Sequence, residues 1–166
     1  MLLNPDRYWW LIPTSFLLAF LWQFWPIPLI ARAYLPDALV MVTIYWTLRR
    51  PRQISSGWAF IIGFCRDGID GSPLGMHALA LVVVSYAVQL LHQQLRLLVI
   101  WQQSLAIGAL CLTYLLIGSW VQLLHSPPVN TPVLWIPAAT ACLAWPVCYL
   151  MLLRLEEGAS RTPIRP

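Results

Sequence analysis

The stretch Gly63-Phe-Cys-Arg-Asp-Gly-Ile-Asp-Gly-Ser-Pro-Leu-Gly75 sets Arg66, Asp67 and Asp70 between two strongly apolar runs, Trp58-Ala-Phe-Ile-Ile62 and Ala78-Leu-Ala-Leu-Val-Val-Val84. If those runs lie in a bilayer, the charges lie there too. Ionised groups persist at that depth only where they face a bundle interior or a watery cavity and find partners. The fold therefore turns on whether this segment is embedded.

Composition answers that it is. The 166 residues are 60% hydrophobic and 10% charged, with a mean hydropathy of +0.70, whereas soluble domains are about 45–50% apolar and about 25% charged. The chain reads as an all-α integral membrane protein. Its net charge of +4 comes from ten arginines against six acids, with no lysine, placed mostly between or beside apolar blocks. That pattern reports membrane orientation and argues against a nucleic-acid partner. Cys65, Cys111, Cys142 and Cys148 lie singly in apolar runs, without a C-x-x-C pair, and read as small hydrophobes, with neither a disulfide framework nor a metal site.

Six apolar blocks predict a compact bundle of six transmembrane helices. Tyr8 to Trp25 spans and stops at Pro26-Ile27-Pro28. A cleaved signal peptide is the competing reading of this block, through Ala31-Arg32-Ala33, but the apolar region is too long and aromatic for one. Leu35 to Leu48 is short for a hydrocarbon core about 30 Å thick and ends at Arg49, Arg50 and Arg52. A third block runs from about Ile54 into the charged stretch. Met76 to Leu91, Leu97 to Leu124 and Val133 to Leu153 complete the set, the fifth tilting or bending around Gly108 and Gly118. Residues 1–154 form the membrane domain and 155–166 a short tail expected to be disordered.

With both termini cytoplasmic, Arg7, Arg49, Arg50, Arg52, Arg96, Arg154, Arg161 and Arg165 fall inside and only Arg32 outside. Trp9, Trp10, Trp25, Trp46, Trp101, Trp120, Trp135 and Trp145 lie toward span ends and read as an interfacial belt. His77, His92 and His125 lie near span ends as well, suited to interfacial hydrogen bonds. Arg96 with Trp101-Gln102-Gln103 marks a cytoplasmic connection where a protein partner or anionic lipid could dock.

Within the opening stretch, Gly63, Asp67, Gly71 and Gly75 recur every four residues and share one broad helix face, suited to close packing or partner binding. Pro73 argues for a break between Gly68 and Pro73, which demands a buried or cavity-lining setting. Arg66 and Asp70 stand at i, i+4, a candidate intramembrane pair. Asp67 is then left to pair elsewhere; the two aspartates either cap broken helix ends, serve partner binding or a conformational switch, or couple an ion or proton through a carboxylate.

Catalytic signatures are missing. No G-x-S-x-G, H-E-x-x-H or phosphate-binding G-x-x-x-x-G-K-[ST] occurs, and two aspartates three residues apart make a weak hydrolytic dyad, since such dyads draw on separate segments. No catalytic residue, metal or cofactor is expected.

The chain resembles the bacterial rod-shape-determining membrane protein family MreD from about Tyr8 to Arg154. The resemblance rests on Gln23-Phe-Trp-Pro26-Ile-Pro28, on Tyr45-Trp46 before a proline-containing loop, on Gly63, Asp67, Gly71, Leu74 and Gly75, on Trp101-Gln102-Gln103 and on Trp145-Pro146. It implies a noncatalytic, multi-pass inner-membrane scaffold of the cell-elongation machinery. Implied partners are MreC, RodA, a class B penicillin-binding transpeptidase and, directly or indirectly, MreB, with membrane lipid around them. It also implies a helical architecture shared with the substrate-binding subunits of vitamin transporters. The family's packing site then transfers to Gly63, Asp67, Gly71 and Gly75, while Arg66 and Asp70 are a local elaboration. The rival from another class is a small-molecule-binding or transport subunit with its ligand near Asp67, Asp70 and His77; a third, an intramembrane hydrolase, lacks a second catalytic segment.

Overall fold

The computed structural model describes residues 10–23, 28, 34–51, 53–125 and 135–161. Among the described residues the regular structure consists of six helices: α1 (Leu11–Gln23), α2 (Ala38–Arg49), α3 (Ser56–Asp70), α4 (Met76–Leu97), α5 (Ile100–His125) and α6 (Trp135–Arg161). Three are long and apolar enough to cross a membrane: α4, α5 and residues 135–158 of α6. The helices α1 and α2 are apolar but shorter.

The bundle is built around α2. Every residue from Leu39 to Leu48 is buried, because α1, α4, α5 and α6 all pack on this helix. Its 12 residues measure about 18 Å at ~1.5 Å per residue, less than the hydrocarbon thickness. Enclosure resolves the shortfall that the sequence raised. A helix wrapped by longer neighbours need not reach the headgroups, provided its end groups are satisfied by protein. Asp37 supplies one end, its carboxylate accepting the Leu39 and Val40 amides at 3.1 and 3.4 Å. At the other end Arg96 of α4 donates to the Leu48 and Arg49 carbonyls at 2.9 and 2.6 Å.

Two pairings place the remaining helices. α3 and α4 form the most extensively packed pair, joined by a tight turn at Gly71–Gly75, and α5 packs along α6. At α5 a Cβ on Gly108 would lie 3.1 Å from Cys142 Cβ and 3.5 Å from the Ala138 carbonyl, so this glycine sets the spacing to α6, whereas Gly118 meets nothing within 4 Å. Glu156 of α6 reaches Arg49 at 3.0 Å and Arg50 at 3.6 Å, placing the C-terminal ends of α2, α4 and α6 together.

Three expectations change. Trp46 and Trp145 belong to the core, not the interfacial belt: they are 2% and 0% exposed. Their indole N–H groups find acceptors inside, Ser15 Oγ at 2.7 Å and Gln103 Oε1 at 3.2 Å, which removes the reason to sit at water. Trp10, Trp101, Trp120 and Trp135 are exposed; Trp9 and Trp25 lie outside the described residues. The polar run His92-Gln93-Gln94 does not end α4, which continues to Leu97 and turns at Leu98-Val99, since Arg96 must extend to the end of α2. Within the connection that holds Arg96 and Trp101-Gln102-Gln103, Gln103 turns inward: it is 5% exposed and donates to the Leu95 carbonyl at 3.2 Å. Finally, α6 runs past Arg154 to Arg161, anchored by Glu156, so residues 155–161 are helical in place of the expected tail. Ala31-Arg32-Ala33, the loop after His125, and Arg7, Arg32, Arg52 and Arg165 lie outside the described residues.

Candidate functional site

The charged stretch folds as a helix end, a turn and a new helix start. α3 stops at Asp70, and Gly71 follows at φ 65° in the left-handed region that terminates helices. Gly75, at φ 96°, occupies the N-cap of α4 and brings no side chain to the orphan amides there. Asp67, one helix back, does that work. Its Oδ1 accepts from the His77 amide at 2.9 Å and Ser72 Oγ at 2.8 Å; its Oδ2 accepts from the amides of Gly75 at 2.9 Å and Ala78 at 3.4 Å. The carboxylate is thus an N-cap supplied from a neighbouring helix, placed at the positive end of the α4 dipole. With Asp67 1% exposed, the four donors replace water.

Such reach requires α3 and α4 to touch. Gly63 permits it: a Cβ there would fall 2.4 Å from Ala78 Cα and 2.6 Å from its nitrogen. Thus Gly63, Asp67, Gly71 and Gly75 act together, one for contact, one for capping and two for the turn. Gly63→Ala is expected to force the helices apart at a cost of about 1–3 kcal/mol. Gly71→Ala meets open space and pays only the left-handed backbone penalty, about 1 kcal/mol. Thermal unfolding in detergent, comparing the two, checks this order.

Arg66 lies beside this turn, 8% exposed. Its Nε donates to Asp70 Oδ2 at 3.1 Å, and its NH1 donates to Asp37 Oδ2. One guanidinium therefore bridges the end of α3 to the cap of α2, and its cation sits 6.0 Å from the Tyr114 ring centre on α5. Asp70 is not the guanidinium's sole partner: Asp37 is the second, a residue that the sequence marks only by the helix-start signal of Pro36-Asp37 ahead of an apolar run. His77 is also drawn inward: its Nδ1 lies 2.7 Å from Tyr114 Oη and its Nε2 3.9 Å from Asp70 Oδ2. It belongs to this cluster and not to a water-facing rim.

The arrangement ties α2, α3, α4 and α5 at one level through Asp37, Arg66, Asp67, Asp70, His77 and Tyr114. Ser72 donates to Asp67, so its hydroxyl is engaged in the turn. Among the described residues no group of three or more His, Cys, Asp or Glu side chains is placed to hold a metal ion.

A helical bundle with three helices long and apolar enough to cross a membrane, packed around one short buried helix, defines an α-helical membrane protein. Comparison with known proteins narrows this. The family model described as rod shape-determining protein MreD matches residues 6–155. Over 150 residues the chain is 32% identical to the rod shape-determining protein MreD of Haemophilus influenzae, covering 90% of this chain and 92% of that one. The chain belongs to the MreD family of rod shape-determining proteins. No solved structure matches it.

Proposed function

We propose that the protein is a noncatalytic inner-membrane scaffold of the cell-elongation complex, with six membrane-crossing helices and both termini cytoplasmic. The observation that supports this reading is the way Gly63, Asp67, Gly71 and Gly75 lock α3 and α4 into one closely packed helical hairpin. Rigidity is what a scaffold needs: partner helices bind a preorganised surface with less ordering cost. Arginines at the C-terminal ends of α2 and α4 lie at one end of the bundle, which supports a cytoplasmic assignment for that end. In this role the chain positions MreC, RodA and a class B penicillin-binding transpeptidase, and links directly or indirectly to MreB. Depleting it is expected to round the cells, and the purified chain is expected to retain MreC and the transpeptidase in nanodiscs. Rod shape without it, or no association, overturns the scaffold.

A transport-type reading has one observation in its favour. An apolar groove of about 370 Å³ lies between α1, α2 and α6, lined by Ala19, Trp22, Met41, Trp46 and Leu152, as a vitamin-binding architecture would allow. A neighbouring ATP-binding cassette gene favours that reading; neighbouring mreB and mreC genes favour the scaffold.

A further inference from the structure

Two features at the end of α2 opposite Asp37 are unexplained by the scaffold. A cavity of about 500 Å³ opens there, with mainly polar walls formed by Arg49, Arg96, Gln103, Tyr149 and Glu156. The turn beside it, Leu97-Leu98-Val99-Ile100-Trp101, is apolar throughout, yet each residue is exposed, Leu97 at 86% and Trp101 at 62%. Turns at an aqueous surface favour Gly, Pro, Asn, Asp and Ser. One made of Leu, Val, Ile and Trp is built to lie among acyl chains, with the aromatic ring at headgroup level.

We infer that this cavity is a binding site for the phosphate headgroup of an anionic phospholipid, whose acyl chains rest against the Leu97–Trp101 turn. Charge selects the ligand. Arg49 is paired with Glu156, but Arg96 donates only to main-chain carbonyls, those of Leu48 and Arg49, so no carboxylate among the described residues neutralises it. Those two bonds also fix its guanidinium at the cavity wall, and its remaining donors are available to phosphate. Ile100, the first residue of α5, lines the same cavity, adding the positive end of a helix dipole. Leu98 and Ile100 line it and remain exposed at 37% and 41%, so polar wall and apolar contact surface are continuous. Basic pockets between membrane helices bind anionic headgroups in this way. A soluble phosphate would use the arginines but gain nothing from the turn.

The test uses the full-length chain in detergent, delipidated and offered an equimolar mixture of dioleoylphosphatidylglycerol and dioleoylphosphatidylcholine, with bound lipid counted by native mass spectrometry. Phosphatidylglycerol is expected to be retained over phosphatidylcholine by about tenfold, and Arg96→Gln to lower that preference by about fivefold. Arg49→Gln provides the same readout should Arg96→Gln prove unstable. Arg154→Gln, an exposed arginine outside the cavity, is expected to leave the preference unchanged. Equal retention of the two lipids, an equal loss in Arg154→Gln, or thermal protection by inorganic phosphate matching that by phosphatidylglycerol overturns the inference. Retention lost in Trp101→Gln with Arg96 intact supports the acyl-chain contact.

Discussion

Arg66→Met is expected to destabilise the folded chain by about 3 kcal/mol, the lower end of the cost of breaking a buried ion pair. The substitution conserves volume and helix propensity, so the loss is electrostatic. It strands two carboxylates that now share one guanidinium, Asp37 and Asp70. Their side chains keep 20% and 26% exposure, and residual hydration holds the cost below that of a fully enclosed pair. The sharper test is reversal. Adding Asp37→Asn and Asp70→Asn to Arg66→Met removes the stranded charges and is expected to recover part of the loss, as an isolated polar group costs less than an isolated ion. Thermal unfolding in detergent for the single and triple variants measures this. A single variant as stable as the parent would sink the view that Arg66 joins α2 to α3.

Asp67→Ala is expected to cost more, about 4 kcal/mol or above. Four donors lose their acceptor together: the amides of Gly75, His77 and Ala78 and the Ser72 hydroxyl. An orphaned buried donor costs about 1–3 kcal/mol. Asp67→Asn retains one acceptor oxygen but turns an NH2 toward backbone N–H groups, so it is expected to fall between parent and Ala. Hydrogen exchange supplies the local readout, with protection at Ala78 to Leu81 dropping before protection in α5 and α6. In cells, Asp67→Ala is expected not to restore rod shape after depletion of the parent chain. Full restoration with unchanged protection would refute the capping role.

The sequence carried the helical class and most helix positions, because hydropathy is a local property that the bilayer reads directly. It also marked the break near Pro73 and the spacing of Gly63, Asp67, Gly71 and Gly75. Their division of labour was not legible there: capping by Asp67 depends on where a second helix begins relative to it, which only packing determines. Asp37 and Tyr114 escaped for the same reason, lying 29 and 48 positions from Arg66 in the chain. Tryptophan was misleading in a consistent way. Proximity to a span end makes Trp46 and Trp145 look interfacial, yet partners on α1 and α5 carry them inward. Arg96 shows the converse: its place next to the exposed Leu97–Trp101 turn suggests a surface loop, while its bonds secure the far end of α2.

The enclosure of α2 has a consequence for biogenesis. Twelve residues flanked by ions offer the insertion machinery too little hydrocarbon contact to remain in lipid unaided. During synthesis this segment must therefore wait, held near the translocon or at the bilayer surface, until α4 to α6 emerge to receive it. A ribosome-bound nascent chain ending within α4 near Arg96, long enough for α2 to have left the exit tunnel, is expected to leave Tyr45 within reach of aqueous labels, and one extended well beyond α6 to shield it. Membrane integration of this protein would then be a late, collective event governed by its C-terminal half.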